Sequence, residues 1–176
     1  MSALRNQRRG FTLIEILIVV TIMTILVVAG VGSYRLAQES IGLDLETDKL
    51  VAALYAMRSE TRTAGARCVG LRVEKDAKPM RIEQPYRNAT RQCDASAETR
   101  TPLVWSKGVR IAEVKANETD VSALSVIFVP PQGRMMMRAA GNSAAQFTLA
   151  VLTVATRDSE KQRHVQLSAG SGAITK

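Results

Sequence analysis

Between Phe11 and Gly32 the chain reads FTLIEILIVVTIMTILVVAGVG, 22 residues in which Glu15 is the only charged side chain. At a rise of ~1.5 Å per residue this run makes a helix about 33 Å long, enough to cross a hydrocarbon core. Three arginines, Arg5, Arg8 and Arg9, precede it. The positive-inside rule places them in the cytoplasm and sends everything after Gly32 across the membrane. A secretory signal peptide would be cut after the apolar run, behind small residues. Here the short basic leader abuts the run and ends in Gly10.

The whole chain has 176 residues and a formal net charge of +8. That length fits one domain plus an appendage. Removing the leader's three arginines, which no acid accompanies, leaves +5, a mild excess consistent with an ordinary solvated surface. Hydrophobic content is 46% with only 4% aromatic, and much of it lies in the first thirty-odd residues. The remainder therefore forms a modest domain with a small core.

From Ser33 to about Thr63 the pattern is helical. Leu36, Ser40, Leu43, Thr47, Leu50, Leu54, Met57 and Thr61 recur at steps of four and three, so one stripe faces inward, widened by Val51 and Tyr55. Asp44, Glu46, Asp48, Lys49, Arg58 and Arg62 fall largely outside it. The stripe is short and partly polar, which tells against a coiled-coil dimer. After Gly65 the texture becomes short alternating runs broken by turn residues, the pattern of an antiparallel sheet. The expected strands are 67–74 (with Val69, Leu71 and Val73 on one face), 80–84, 103–106, 109–115, 124–129, 134–138, 146–155 and 163–168. Pro130-Pro131-Gln132-Gly133 is a strong break, and 85–102 reads as a polar loop. The expected fold is α+β: a long N-terminal helix, transmembrane half then amphipathic half, packed on an antiparallel β-sheet domain. Its divisions are 1–10 (leader), 11–33 (membrane helix), 34–64 (amphipathic helix) and 65–176 (β-rich domain).

Cys68 and Cys93 are the two cysteines. Outside the cytoplasm such a pair reads as one disulfide, pinning the 85–102 loop to the first strand and stabilising the fold by roughly 3 kcal/mol. Two thiolates and a distant His164 do not make a four-ligand zinc site.

A catalytic constellation is not legible. His164, the single histidine, sits in an expected strand as an exposed residue. Ser168-Ala169-Gly170-Ser171-Gly172 lacks the lysine and following helix of a phosphate loop. Met135-Met136-Met137 reads as alternating core and surface contacts of a strand. No cofactor and no metal are expected, and the chain does not read as an enzyme.

The segment RRGFTLIEILIVVTIMTIL resembles the type IV prepilin signature: basic residues, Gly, Phe-Thr-Leu-Ile-Glu and a long uncharged run in one order. The resemblance implies that a prepilin peptidase cuts between Gly10 and Phe11 on the cytoplasmic side and N-methylates Phe11. Cleavage would leave Glu15 four residues from a new α-ammonium. A carboxylate inside an apolar bundle costs several kcal/mol unless paired. Pairing with a neighbouring subunit's ammonium would set axial register, because every wrong register leaves a buried charge alone. The alternative is a Glu15 hydrated near the membrane interface. Many members of the family carry a proline at the end of the apolar run, where this chain has Gly30 and Gly32 before Ser33-Tyr34.

The segment LYAMRSETRTAGARCVGLRVE, with SVIFVPPQGRMM and RHVQLSAGSGAIT, is similar to the GspH/FimT (FimU-like) group of minor pilins and pseudopilins. That resemblance implies a pilin-like fold. It implies an inner-membrane precursor with its N-terminus cytoplasmic and its C-terminal domain periplasmic, later moving into a pilus or pseudopilus. The implied function is a structural minor subunit of a type IV pilus or type II secretion pseudopilus that helps initiate assembly. The implied partners are prepilin peptidase and other minor and major pilins or pseudopilins. DNA uptake by relatives raises a second reading, a DNA-binding minor pilin. Arg157, Lys161, Arg163 and Lys176 would form its patch, with Arg134 and Arg138 as extensions. The terminal SAGSGAITK holds a single basic residue, which disfavours DNA.

Overall fold

The computed structural model describes residues 12–65, 67–139, 146–158 and 160–176, without the side chains of Ser33, Leu36 and Ala64. One long helix, α1 (Leu13–Ala64), precedes a series of β-strands. The chain divides into two compact units, Met1–Gln38 and Glu39–Lys176.

In the second unit, the 39–64 half of α1 lies against two antiparallel sheets. Leu43, Thr47, Leu50, Leu54, Met57 and Thr61 are buried along one stripe, as their spacing requires. Fully burying each leucine contributes about 1.5–3 kcal/mol, which makes this stripe the main tie between helix and sheets. Thr47 and Thr61 enter that apolar stripe because each hydroxyl donates to the carbonyl four residues back, Leu43 and Met57, at 2.8 Å. Leu36 belongs to the expected stripe, but its side chain lies outside the described residues.

The first sheet comprises β1 (Arg67–Glu74), β2 (Met80–Arg87), β3 (Gln92–Cys93), β4 (Thr99–Pro102), β7 (Ala123–Val129), β8 (Arg134–Ala139) and β9 (Gln146–Phe147), in the order β3-β2-β1-β7-β8-β9 with β4 also on β2. The second comprises β5 (Val109–Ala116), β6 (Thr119–Asp120), β10 (Leu149–Thr156), β11 (Gln162–Ser168) and β12 (Ala173–Thr175), in the order β12-β11-β10-β5-β6.

Alternation along the strands separates two clusters. Val69, Leu71 and Val73 of β1, with Leu124, Val126 and Phe128 of β7 and Met135 and Met137 of β8, join the helix stripe and the second sheet in the main core. Cys68, Ile82, Ile127 and Val129 point the other way into a smaller cluster, joined by Tyr86, Cys93 and Met136. Strand β7 is buried along its whole length because both of its faces are covered. The three consecutive methionines thus serve two faces of one strand.

Three expectations need correction. Residues 103–106 form no strand. The ladder with β2 is made by Thr99–Pro102 instead, and it closes where Leu103 N donates to Pro79 O at 3.0 Å. The single run 146–155 is two strands in different sheets. Phe147 pairs with Met137 and Leu149 with Ser168, and between them the chain crosses over while Asn117 Oδ1 accepts from Thr148 N and Leu149 N. Glu46, expected outside the inward stripe, is 3% exposed; its Oε1 accepts from Lys49 Nζ at 2.8 Å.

The stretch 85–102, expected as a loop, contains β3 and β4, and these two short strands, like β6 and β12, show no period in the sequence. Strand β6 follows a two-residue hairpin at Asn117-Glu118, both with positive φ (47° and 68°). The glutamate there hides the turn from a reading that looks for Asn-Gly or Asp-Gly.

Candidate assembly segment

Helix α1 opens at Thr12. Glu15 N donates to Thr12 O at 3.1 Å and to Thr12 Oγ1 at 3.4 Å. Threonine three residues before glutamate is the capping-box spacing, and here the threonine half of that box is formed. A carboxylate in the first turn also faces the positive end of the helix dipole. Glu15 therefore stands where the helix itself favours negative charge.

Beyond it, the large apolar residues from Leu13 to Val31 are exposed in every direction around the axis, each by 48% or more. A helix apolar all round is stable only when a membrane or other apolar helices surround it. Within this stretch Thr21 Oγ1 donates to Leu17 O and Thr24 Oγ1 to Thr21 O, both at 2.8 Å, so these hydroxyls need no outside partner in hydrocarbon. By length and composition this is a helix able to cross a membrane. Gly10 and Phe11, the expected cleavage and methylation positions, lie outside the described residues.

Residues 5–31 match the prokaryotic N-terminal methylation motif. The match supports a type IV pilin-like protein, with prepilin processing and assembly with other pilins as what the motif implies. No curated protein and no solved structure matches the chain. The motif covers Gly10, Phe11 and Glu15 together, and the helix that continues from it packs on antiparallel sheet in the pilin-like α+β manner.

Cys68 and Cys93 are joined, with Cα atoms 6.0 Å apart. The bond lies in the smaller cluster and holds the β3 segment against β1. Beside it, Asp94 caps a short 3-10 turn. The Ser96 hydroxyl and amide, together with the Arg87 guanidinium, hold its carboxyl down at about 2.

The four cations expected as a DNA patch are not placed alike. Arg163 Nε donates to Asp44 Oδ1 and Lys176 Nζ to Asp48 Oδ1, both at 2.7 Å, so these two tie the second sheet to the helix. The Arg163 guanidinium keeps the Asp44 carboxyl below its usual range. Arg157 is exposed in a different cleft, and the Lys161 backbone closes the β10–β11 turn by accepting from Thr156 N. His164 is exposed on β11, with Nδ1 3.2 Å from Thr153 Oγ1. Among the described residues no group of His, Cys, Asp or Glu is arranged to hold a metal.

Sequence reasoning missed the part played by Arg58. Its Nη1 donates to Gly172 O at 2.8 Å, while its aliphatic stem runs beside Gly133. Nearby, Arg62 Nε donates to Gln132 O at 3.0 Å. The available signal was the coincidence of small residues at the ends of two strands with arginines in the last turns of the helix.

Proposed function

We infer that this chain is a minor subunit of a type IV pilus or type II secretion pseudopilus of the GspH/FimT kind, and that it helps initiate filament assembly after cleavage between Gly10 and Phe11. The observation that carries the reading is the span in α1 that exposes large apolar residues on all sides and has Glu15 as its only charge, inside a matched methylation motif. A soluble fold has no use for such a surface. A filament does, because cleaved subunits can leave the bilayer by exchanging lipid for one another's helices.

Within this reading Phe11 becomes the methylated N-terminus and Glu15 pairs with a neighbour's α-ammonium. The precursor sits in the inner membrane with its β-rich domain in the periplasm. The small domain and the disulfide suit a subunit exported to an oxidising compartment. The DNA-binding reading has less support, because two of its four cations are engaged with helix carboxylates.

The test is the amount of filament sheared from cells lacking the gene, compared with cells complemented by the wild-type and by the Glu15→Ala chain. Loss of filaments restored only by the wild type is the expected result. Unchanged filaments, with unchanged exoprotein secretion, would sink the proposal.

A further inference from the structure

Where β1 ends and β5 begins, three loops border an open cleft of about 640 Å³. Lys78 comes from the turn before β2, Lys107 from the turn before β5, and Arg157 from just after β10. The loops are fixed by hydrogen bonds: Asp76 N to Ile111 O at 2.8 Å, Arg157 N to Gly108 O at 3.0 Å, and Trp105 Nε1 to Val109 O at 2.9 Å. The one carboxylate of the lining, Asp76, accepts from Arg110 Nη1 at 2.6 Å. Among the described residues Lys78, Lys107 and Arg157 have no carboxylate partner, so the cleft carries uncompensated positive charge. Arg163 and Lys176, by contrast, are paired within the chain.

Val104, the residue before Trp105 and Ser106 of the cleft lining, is 91% exposed and belongs to no strand. Among the described residues outside α1 it is the one exposed large apolar side chain. Leu103 and Trp105 on either side turn inward to the main core, so Val104 is held outward by its neighbours' burial. An apolar knob beside a rigid basic cleft fits a protein surface on which an apolar pocket is rimmed by carboxylates.

Nucleic acid fits less well. Trp105 is 9% exposed and its ring N–H is used internally, so no aromatic face is open for a base to stack on, and an aliphatic knob has no partner on a phosphate backbone. We propose that Val104 with Lys78, Lys107 and Arg157 forms a docking surface for an acidic segment of a neighbouring filament subunit. This rests on the filament-subunit reading above.

The test places photoreactive p-benzoylphenylalanine at position 104 of the full chain, in cells that make filaments, and irradiates them. The expected result is an adduct to another protein with an N-terminal methylation motif, mapped to a segment with at least two carboxylates. Its yield should fall at least tenfold in Lys78→Glu/Arg157→Glu. It should fall severalfold in the milder Lys78→Gln/Lys107→Gln, in chains that still form the Cys68–Cys93 bond. An adduct that is nuclease-sensitive, one to a neutral or basic segment, one indifferent to both double variants, or no adduct at all overturns the proposal. Mass measurement of the same chains separates the two readings. Loss of residues 1–10 and recovery in sheared filaments without a charge-dependent adduct defeats the docking surface alone, whereas an unprocessed chain absent from filaments defeats the subunit reading.

Discussion

Arg58 on the helix and Gly172 at the β11–β12 turn, 114 positions apart in sequence, are joined by a 2.8 Å hydrogen bond from Nη1 to the glycine carbonyl. Gly172 has φ +66°, and a Cβ there would lie 2.6 Å from Arg58 Nη2. The turn therefore needs glycine twice, for its left-handed backbone and for the arginine's room.

Arg58→Ala removes a charged donor from a partly buried carbonyl and should lower stability by about 1–3 kcal/mol. Gly172→Ala should cost a similar amount through backbone strain and displacement of Arg58. Because both changes break one contact, the double variant should lose clearly less than the sum of the two. Thermal unfolding of the four detergent-solubilised chains measures this, and additive losses would show that the contact carries no coupling.

Gly70, in the middle of β1, meets a harder limit. A Cβ there would sit 2.2 Å from Val126 O and 2.8 Å from Ile127 Cα, both backbone atoms of the neighbouring strand. Neither can swing aside as a side chain does. Gly70→Ala should cost about 3 kcal/mol or more, because β7 is buried on both faces and cannot shift without opening the core. A melting temperature within a degree or two of wild type would contradict this account.

The two glycines mark the boundary of what the sequence disclosed. Helix stripe, strand alternation and the disulfide were legible because each follows from a local period or from compartment chemistry, as with Leu43, Leu50 and Leu54 or Val69, Leu71 and Val73. What lay hidden depends on pairs distant in sequence. Thr148 breaks an apparently continuous run because Asn117, thirty-one positions earlier, captures its amide. Thr99–Pro102 is a strand only because β2 offers it an edge, since its own residues are all exposed. In the assembly segment, Glu15 stood out as a lone charge in an apolar run. The paired state of Arg163 and Lys176 did not, because Asp44 and Asp48 face them only after the second sheet folds back on the helix.

The Cys68–Cys93 bond closes a loop across a separation of 25 residues. Cys68→Ser/Cys93→Ser should lower stability by about 3 kcal/mol, chiefly by freeing the unfolded chain. Loosening should concentrate in 85–102, whose β3 and β4 form ladders with β2 alone. Hydrogen exchange followed by mass spectrometry should therefore show faster exchange there than in β7. Uniform acceleration would mean that the bond supports the whole domain equally.

Asp44 supplies a pH dependence. The Arg163 guanidinium lowers its pKa from 3.8, so the folded chain binds this proton less readily than the unfolded chain. Its contribution is complete above the unfolded pKa and is lost as pH falls through the lower folded value. Between pH 7 and about 5, wild type and Asp44→Asn should differ by a constant margin, which should shrink below about pH 4. Melting temperatures across that range test the sign, and a margin that grows on acidification would refute it.

Glu15 offers the sharpest division between membrane and filament. Glu15→Gln leaves a side chain of the same shape and removes the charge, so insertion of the apolar helix should be at least as favourable as before. If the carboxylate serves only as a hydrated group near the interface, the variant should enter filaments normally. If it pairs with a neighbour's α-ammonium among packed helices, the variant leaves that ammonium buried and alone, at a cost of about 3–5 kcal/mol for a fully desolvated pair. Leader removal and membrane yield should then match wild type, while the amount recovered in sheared filaments falls at least tenfold. Immunoblots of the membrane and sheared fractions from one culture decide between these, because a fall in both fractions would point to insertion or stability and not to assembly.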